Sequence, residues 1–488
     1  MPSVNTAEAS DSANLREPAS LTEALLPRKQ SEESARAARW FLFFALPLGA
    51  IVFWLTPPFQ APDEQQHFWR AYAISEGHLF AHDVNGHGGN DLPRSVHALP
   101  GIVGMDDLAH HGEARVDLAR IRAGFAEPLN SKEREDVQAP SMSVYFPHSY
   151  LPQSIGMAVG RAVLKNPLQL YYVGRFAGML AIVLLLALAI RITPVQPYAF
   201  AAAALLPMCV FQRSAISADG MTTAVGFLYL AYILRLSRNR PQRLSTRELV
   251  TLFALGVAIA ISKQTYAVLA LAFLLIPEGR LPSRRTYWLT FAGLGLAMFA
   301  ISGMWAASVA HLYDAPKSLG IDVQEQTQFL KSHPGALVPM LARTLWSRWD
   351  FYLTSAVGGM GSLDCWLPTW ALWTLIALLG AIALADGSRE LTGSARIRLV
   401  AIGTFFIATC AIIAALYVAW TAVGAKVAEG VQGRYFLPIV PLALVGLLDL
   451  GAKIRARLSA VTPERLLWAF GALSSVTMVW TLITRYYA

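Results

Sequence analysis

The sequence is short of charge and of cysteine. Lys, Arg, Asp and Glu make up 15% of its 488 residues, against about 25% in an ordinary soluble domain. That is too little charge to cover a soluble chain of this length, which excludes an ordinary cytosolic enzyme and a disordered protein. The 3 cysteines, Cys209, Cys365 and Cys410, lie in or beside apolar runs with no paired spacing. A disulfide framework and a thiolate zinc site are therefore not expected. The chain has no P-loop, dinucleotide fingerprint, G-x-S-x-G elbow or H-E-x-x-H, so nucleotide-driven chemistry has no support. The adjacent His110 and His111 would point in different directions on a helix and make a poor chelate.

What the chain has is apolar length. It is 55% hydrophobic, with a mean hydropathy of +0.43. Runs long enough to read as membrane helices fall at 40–56, 171–191, 197–213, 221–236, 249–262, 264–277, 286–306, 367–385, 398–419, 436–450 and 466–484. The pair at 249–277 reads either as a hairpin or as one helix broken at Lys263. The segment 149–165 carries Pro152, Gln153, Gly156, Gly160, Arg161 and Lys165 and either spans or lies in the interface; a crossing there would put several basic clusters on the wrong side, which favours the interface. The expected fold is an all-α polytopic integral membrane protein of about 11 transmembrane helices (roughly 10–13). Residues 1–39 read as a polar, disordered cytoplasmic tail, and 40–56 as an uncleaved anchor.

The net charge is +8. In a membrane protein that excess belongs to cytoplasmic loops, and no nucleic-acid partner is expected. Five basic clusters, from Arg36 and Arg39 to Arg455 and Arg457, share one side if eleven segments cross. The N-terminus is then cytoplasmic. The opposite face receives 57–148 as a large first extracytoplasmic loop, 307–366 as a second, and the short segments 214–220 and 420–435. All 10 histidines fall there, so the working face is expected to be the outer one.

Four features on that face carry chemistry. In P-D-E-Q-Q-H-F-W-R at 62–70, Pro62 suits a first helical turn, and Asp63, His67 and Arg70 would share a helix face. Asp63 and Glu64 read either as ordinary N-terminal acids of an interfacial helix or as a catalytic base or metal site. Phe68, Trp69, Tyr72 and Ile74 would face the membrane interface or neighbouring spans. Lys263 interrupts an apolar run and is read as snorkelling or as a cation for a lipid phosphate. Asp219, in S-A-I-S-A-D-G, either caps the following helix or holds Arg213, a substrate or a metal. Arg434, with Tyr435 beside it in G-V-Q-G-R-Y-F-L-P, is a snorkelling arginine or a phosphate fork. The loop 307–366 reads as amphipathic helices on the membrane, with Gly358, Gly359 and Gly361 as a flexible link.

P-x-D-E-x-x-H-F-x-R-A at 62–71, P-H-S-Y-L-P-Q at 147–153, S-x-x-S-x-D at 214–219, S-K-Q-T-Y at 262–266, G-x-x-G-S-L-D at 358–364 and Q-G-R-Y-F-L-P at 432–438 occur in this order. The ensemble, over roughly 40–485, resembles a bacterial family of polytopic membrane proteins of unknown function that is grouped with the GT-C superfamily of integral-membrane glycosyltransferases. That resemblance implies a donor sugar on a polyprenyl phosphate, an acceptor that is an envelope glycan, lipid or protein, and a site on the periplasmic face of the bacterial inner membrane. It implies that Asp63, with Glu64 as its neighbour, is the acid of the first outer loop, acting as base or as ligand of a divalent metal (Mg or Mn). His67, Arg70, Asp219, Lys263, Arg434 and Tyr435 are the expected substrate-binding residues. The competing readings are an envelope-precursor transporter or flippase and a non-catalytic membrane scaffold.

Overall fold

In the computed structural model, residues 28–109, 111–238, 242–313, 317–386, 395–448, 450 and 462–488 are described. The basic positions Arg240, Arg389, Lys453, Arg455 and Arg457, and His110, lie outside them.

The fold is nearly all helical. Among the described residues five helices are long and apolar enough to cross a membrane: Gln30–Leu55, Pro167–Ile192, Arg284–Leu312, Ala395–Trp420 and Pro463–Tyr486. A sixth arises if Pro207–Arg213 and Ala218–Leu236, bent by 119° at their junction, form one broken span. Their starts are built by local chemistry. The Asn166 side chain accepts from Gln169 N at 2.8 Å with Pro167 at the first helical position. Thr462 with Pro463 repeats the device, and Ser245 with Glu248 closes a capping box at the head of Thr246–Ser262. The first helix packs on Pro167–Ile192 and on Pro463–Tyr486, and these surround an apolar core that includes Phe41, Ile182, Phe200 and Phe470.

Every expected apolar run is helical, but several are shorter than a crossing. The run 197–213 is two helices, Pro197–Ala204 and Pro207–Arg213, each opened by a proline that cannot continue the preceding hydrogen-bond ladder. The run 249–277 splits at Lys263, whose backbone is extended, into Thr246–Ser262 and the 3-10 helix Gln264–Leu275. These two pack against each other. The helix Leu151–Gly160 is 10 residues long, about 15 Å, too short to cross.

The N-terminal boundary differs from the expected one. The first helix begins at Arg28, so residues 28–39 are an ordered extension of the first apolar helix and not part of a tail. Ser34 Oγ donates to Thr193 O at 3.0 Å, and Ala37 and Ala38 are buried.

Residues 57–148 fold on themselves. Helix Glu64–Ser75 lies beside an antiparallel sheet of β1 (His82–Val84), β2 (His87–Pro93) and β3 (Arg134–Gln138), ordered β1-β2-β3 with Asp91 opposite Asp136. Phe68, Tyr72 and Ile74 are buried in a core that this unit shares with neighbouring helices, as one of the two expected readings had it, with Leu92, Val96 and Leu99 from the unit and Met157, Tyr171 and Ile216 from beyond it. They do not face the membrane interface. Arg134 ties the unit together through Glu76 at 2.9 Å and Asp91 at 2.7 Å. The expected flexible link at Gly358–Gly361 is instead a tight ribbon of β4 (Gly359–Met360) and β5 (Cys365–Trp366). Gly361 has φ +61, and a Cβ there would lie 2.2 Å from Asp364 Oδ1, so the glycines serve close packing rather than motion.

Candidate functional site

One cavity, of about 620 Å³, gathers side chains from most of the sequence motifs. It lies where the chain leaves the first helix, where Ser217 starts Ala218–Leu236, where Lys263 breaks its run, and where Gly433–Ile439 begins. Asp63, His67, Asp219, Lys263, Arg434 and Tyr435 all line it.

Asp219 forms the floor. Ser217 caps the helix, accepting from Asp219 N at 3.0 Å, so the Asp219 carboxylate is not used as the cap and turns to the cations. Lys263 Nζ donates to its Oδ1 at 2.7 Å, and Arg434 Nε stands 3.4 Å from Oδ2. Lys263 Nζ also lies 4.3 Å from the centre of the Tyr435 ring. Arg434 Nη2 donates to the Tyr435 hydroxyl at 3.2 Å. Two cations from distant parts of the chain are thus held side by side by one buried carboxylate. Asp219 does not pair with Arg213, which instead donates to Ala204 O at 2.7 Å.

Asp63 is built differently. It precedes helix Glu64–Ser75 in the left-handed conformation, φ 57, and its side chain makes no cap hydrogen bond. An aspartate at a helix start ordinarily accepts from the first-turn amides. Here the carboxylate is left 49% exposed, with Arg434 Nη2 at 4.0 Å. Backbone strain gathers around it: Phe59 (φ 65), Asp63 and Leu363 (φ 65) are three of the five non-glycine residues with positive φ among the described residues, and all three line the cavity.

His67 is one helical turn on and buried. Its Nδ1 is hydrogen-bonded to the Tyr150 hydroxyl at 2.7 Å. Burial, reinforced by Arg434 and Lys263 and opposed by Asp219, pulls its pKa down to about 3, so the ring is neutral. Burial likewise pushes the Tyr145 phenol, beside Lys263, up to about 12.

Two expected site residues are elsewhere. Glu64 faces away from the cavity into a closed ion pair with Arg175, Oε1 to Nε at 2.9 Å and Oε2 to Nη2 at 2.8 Å, both side chains 0% exposed. It also accepts from Ile216 N at 2.8 Å and Ala61 N at 3.3 Å. Every direction around that carboxylate is taken, so Glu64 anchors the loop and meets no substrate. Arg70 does not share a face with Asp63, because Asp63 is not helical. It is buried and donates to Leu79 O at 2.6 Å and His78 O at 3.2 Å, holding the turn before the sheet.

The residues that sequence reasoning missed are mostly aromatic. Tyr145 and Tyr266 line the cavity, and Tyr266 Oη donates to Tyr435 O at 2.8 Å. Tyr150, which positions His67, stands inside the quoted P-H-S-Y-L-P-Q motif, as does His148, bonded to Ser262 Oγ at 3.0 Å; the motif was the available signal. The wall on one side is Ile412, Ala415, Leu416 and Ala419, one face of the membrane-length helix Ala395–Trp420. The roof is braced from the end of the last helix. Arg485 Nη2 donates to Asp364 Oδ2 at 2.7 Å and to Leu108 O at 2.7 Å, and Asp364 in turn accepts from Ser362 N at 2.9 Å. That fixes the turn carrying Leu363.

Among the described residues no group of three or more His, Cys, Asp or Glu is placed to hold a metal ion, and the charged group beside Asp63 is the Arg434 guanidinium. No curated protein matches the chain, and no solved structure matches it. Residues 46–443 match the family described as "Predicted membrane protein (DUF2142)", and the chain, with its membrane-length apolar helices, belongs to that family.

Proposed function

We propose that the chain is a membrane-embedded glycosyltransferase that moves a sugar from a polyprenyl-phosphate carrier to an envelope acceptor, with Asp63 as general base. The observation that carries the reading is one cavity lined by a half-exposed carboxylate, 4.0 Å from Arg434, and by two cations fixed on Asp219, while one wall is the apolar face of a membrane-length helix. That combination suits a substrate with an anionic head and a lipid tail.

Asp63 takes the proton of the acceptor hydroxyl as its oxygen bonds to the anomeric carbon. The bond from that carbon to the phosphate oxygen breaks, and the lipid phosphate leaves with the bonding pair. Lys263 and Arg434 stabilise the charge that grows on it, and Asp219 keeps both in place before substrate arrives. His67, neutral and held by Tyr150, offers a hydrogen bond without adding charge. The accompanying topology has the N-terminus cytoplasmic and the cavity on the extracytoplasmic face of the bacterial inner membrane. The GT-C-like membrane domain spans about 40–485 on this reading, with 57–148 and 307–366 as its extracytoplasmic loops.

The test is transfer by purified, reconstituted protein from a radiolabelled polyprenyl-phosphate sugar to a crude envelope fraction. Asp63→Asn is expected to lose about 10²–10⁴-fold in turnover with unchanged thermal unfolding and retained donor binding. Arg434→Met is expected to lose donor binding. Full turnover by Asp63→Asn would remove the base assignment. Donor flux across vesicles without glycosyl transfer would replace the reading with a transporter, and unaltered growth phenotypes for Asp63, Lys263 and Arg434 replacements with a scaffold.

A further inference from the structure

A second group of cations lies at the other end of the first helix. Arg36 and Arg39 stand one turn apart on it, and Arg191, from the end of Pro167–Ile192, lines the same groove. The groove holds about 740 Å³, and its lining includes Leu42, Ala187 and Leu188. Sixteen residues of helix separate Arg39 from Leu55, roughly 24 Å, so this groove is distinct from the cavity that begins at Phe59.

The three arginines of the groove are not equally paired. Arg36 is engaged by Glu464 at 3.4 Å, and Trp40 Nε1 donates to the same carboxylate at 2.6 Å. Arg191 is held only by neutral groups, its Nη1 donating to Ser31 O at 3.1 Å and Ser31 Oγ at 3.2 Å. Arg39 makes no hydrogen bond or ion pair among the described residues. Arg36 is thus offset by Glu464 and Glu33, while Arg39 and Arg191 are bound to no acid among the described residues, with Glu32 the one acid in the lining.

The surroundings give the level in the membrane. Trp40 and Trp468 meet edge to face at 4.7 Å, with Phe43 5.1 Å from Trp468. Such aromatic clusters sit at the headgroup boundary. From the groove an exposed apolar lane runs along Pro167–Ile192 through Leu188 (46%), Leu184 (56%) and Leu180 (39%), four residues apart and so on one face. Leu46, one turn on from Leu42, is exposed beside it on the first helix.

We infer that this groove binds an anionic phospholipid, with its phosphate in the forks of Arg39 and Arg191 and one acyl chain laid along Leu188, Leu184 and Leu180. A guanidinium pairs with phosphate oxygens through two parallel donors, and basic pockets between membrane helices take acidic headgroups. Two neighbouring guanidiniums with no acid bound to them select an acidic headgroup over a zwitterionic one. The apolar floor and lane select a lipid over a free phosphate. The site is independent of the transfer reaction proposed above.

The experiment is native mass spectrometry of the full chain released from nanodiscs of equal phosphatidylglycerol and phosphatidylethanolamine. Wild type is expected to retain phosphatidylglycerol preferentially. Arg39→Ala combined with Arg191→Ala is expected to lower that retention about tenfold or more, the scale of losing charge-assisted hydrogen bonds. Arg39→Lys is expected to lose less, and Arg284→Ala, on an exposed arginine elsewhere, is expected to change nothing. Thermal unfolding of each variant at wild-type temperature shows that the loss is local. Equal retention of both lipids by wild type, or unchanged retention by the double variant, overturns the proposal. So does displacement of the lipid by millimolar inorganic phosphate, which would make the groove a simple anion site. If the double variant does not fold, Leu184→Asp decides the matter: unchanged phosphatidylglycerol retention in that variant overturns the acyl lane.

Discussion

Replacing Glu64 with alanine separates an anchoring carboxylate from a catalytic one. In the native fold Glu64 and Arg175 are both fully buried and bound through two parallel contacts of 2.9 and 2.8 Å. Removing one member of a buried pair leaves the other charge without compensation, which costs about 3–5 kcal/mol. Arg175 keeps its contacts to Thr56 O at 3.0 Å and to Phe53 O and Pro57 O at 3.4 Å, but carbonyl dipoles do not replace a carboxylate. The Ile216 amide also loses its acceptor. The three free thiols supply the assay: Cys209 and Cys365 are buried, so a thiol-reactive fluorophore reports unfolding in detergent. Glu64→Ala is expected to unfold several degrees below wild type. Glu64→Ala with Arg175→Met is expected to recover a large part of the loss, because no isolated charge remains. Asp63→Asn, one residue earlier but half exposed, is expected to unfold with wild type. If Glu64→Ala unfolds with wild type while abolishing activity, the anchoring argument is wrong and the carboxylate is catalytic after all.

Two further expectations follow from the same geometry. His67 is held neutral, with its folded pKa near 3 against about 6.5 unfolded, so below pH 6.5 the unfolded chain binds the proton that the folded one refuses. The stability from neutral His67 is complete above pH 6.5 and declines as pH falls toward 3, by about 2 kcal/mol at pH 5. His67→Gln is therefore expected to flatten the fall in unfolding temperature between pH 7 and pH 5, and an undiminished slope would show that the ring is not shielded. At Gly433 a Cβ would stand 2.1 Å from Ala356 N and 2.3 Å from Tyr352 O, whereas at Gly430 it would meet the Trp420 ring at 2.0 Å. Backbone cannot yield as a side chain can, so Gly433→Ala is expected to fail in folding, while Gly430→Ala, strained at φ 71 but facing a side chain, is expected to fold with a lowered unfolding temperature and altered tryptophan fluorescence. Equal yields of monodisperse protein from both would refute that distinction.

The motifs at 62–71, 214–219, 262–266 and 432–438 were legible because each puts a rare charge beside an apolar run, and burial drives such charges together. Asp219 and Lys263 illustrate it: neither could stay alone, and they meet at 2.7 Å. The fate of Glu64 was not legible. Its partner is 111 residues away in the middle of an apolar helix, and nothing local distinguishes a carboxylate that faces solvent from one that faces arginine. Arg70 was misplaced for a different reason. Helical spacing was applied from Asp63, but that residue is in the left-handed conformation and the helix starts one residue later. The apolar runs were legible as helices, yet their prolines and the extended Lys263 divide them, so five to six reach membrane length by themselves.

The brace between Arg485 and Asp364 has a consequence for how the molecule comes into being. Synthesis proceeds from the amino end, so helices that supply the floor and wall of the chamber are made while its roof has nothing to fasten it. Only when Arg485 reaches Asp364 and the carbonyl of Leu108 does the turn bearing Leu363 become fixed. The chamber is therefore unfinished until residue 485 has been made, and a chain cut before it would carry every charged group of the site with its roof unfastened.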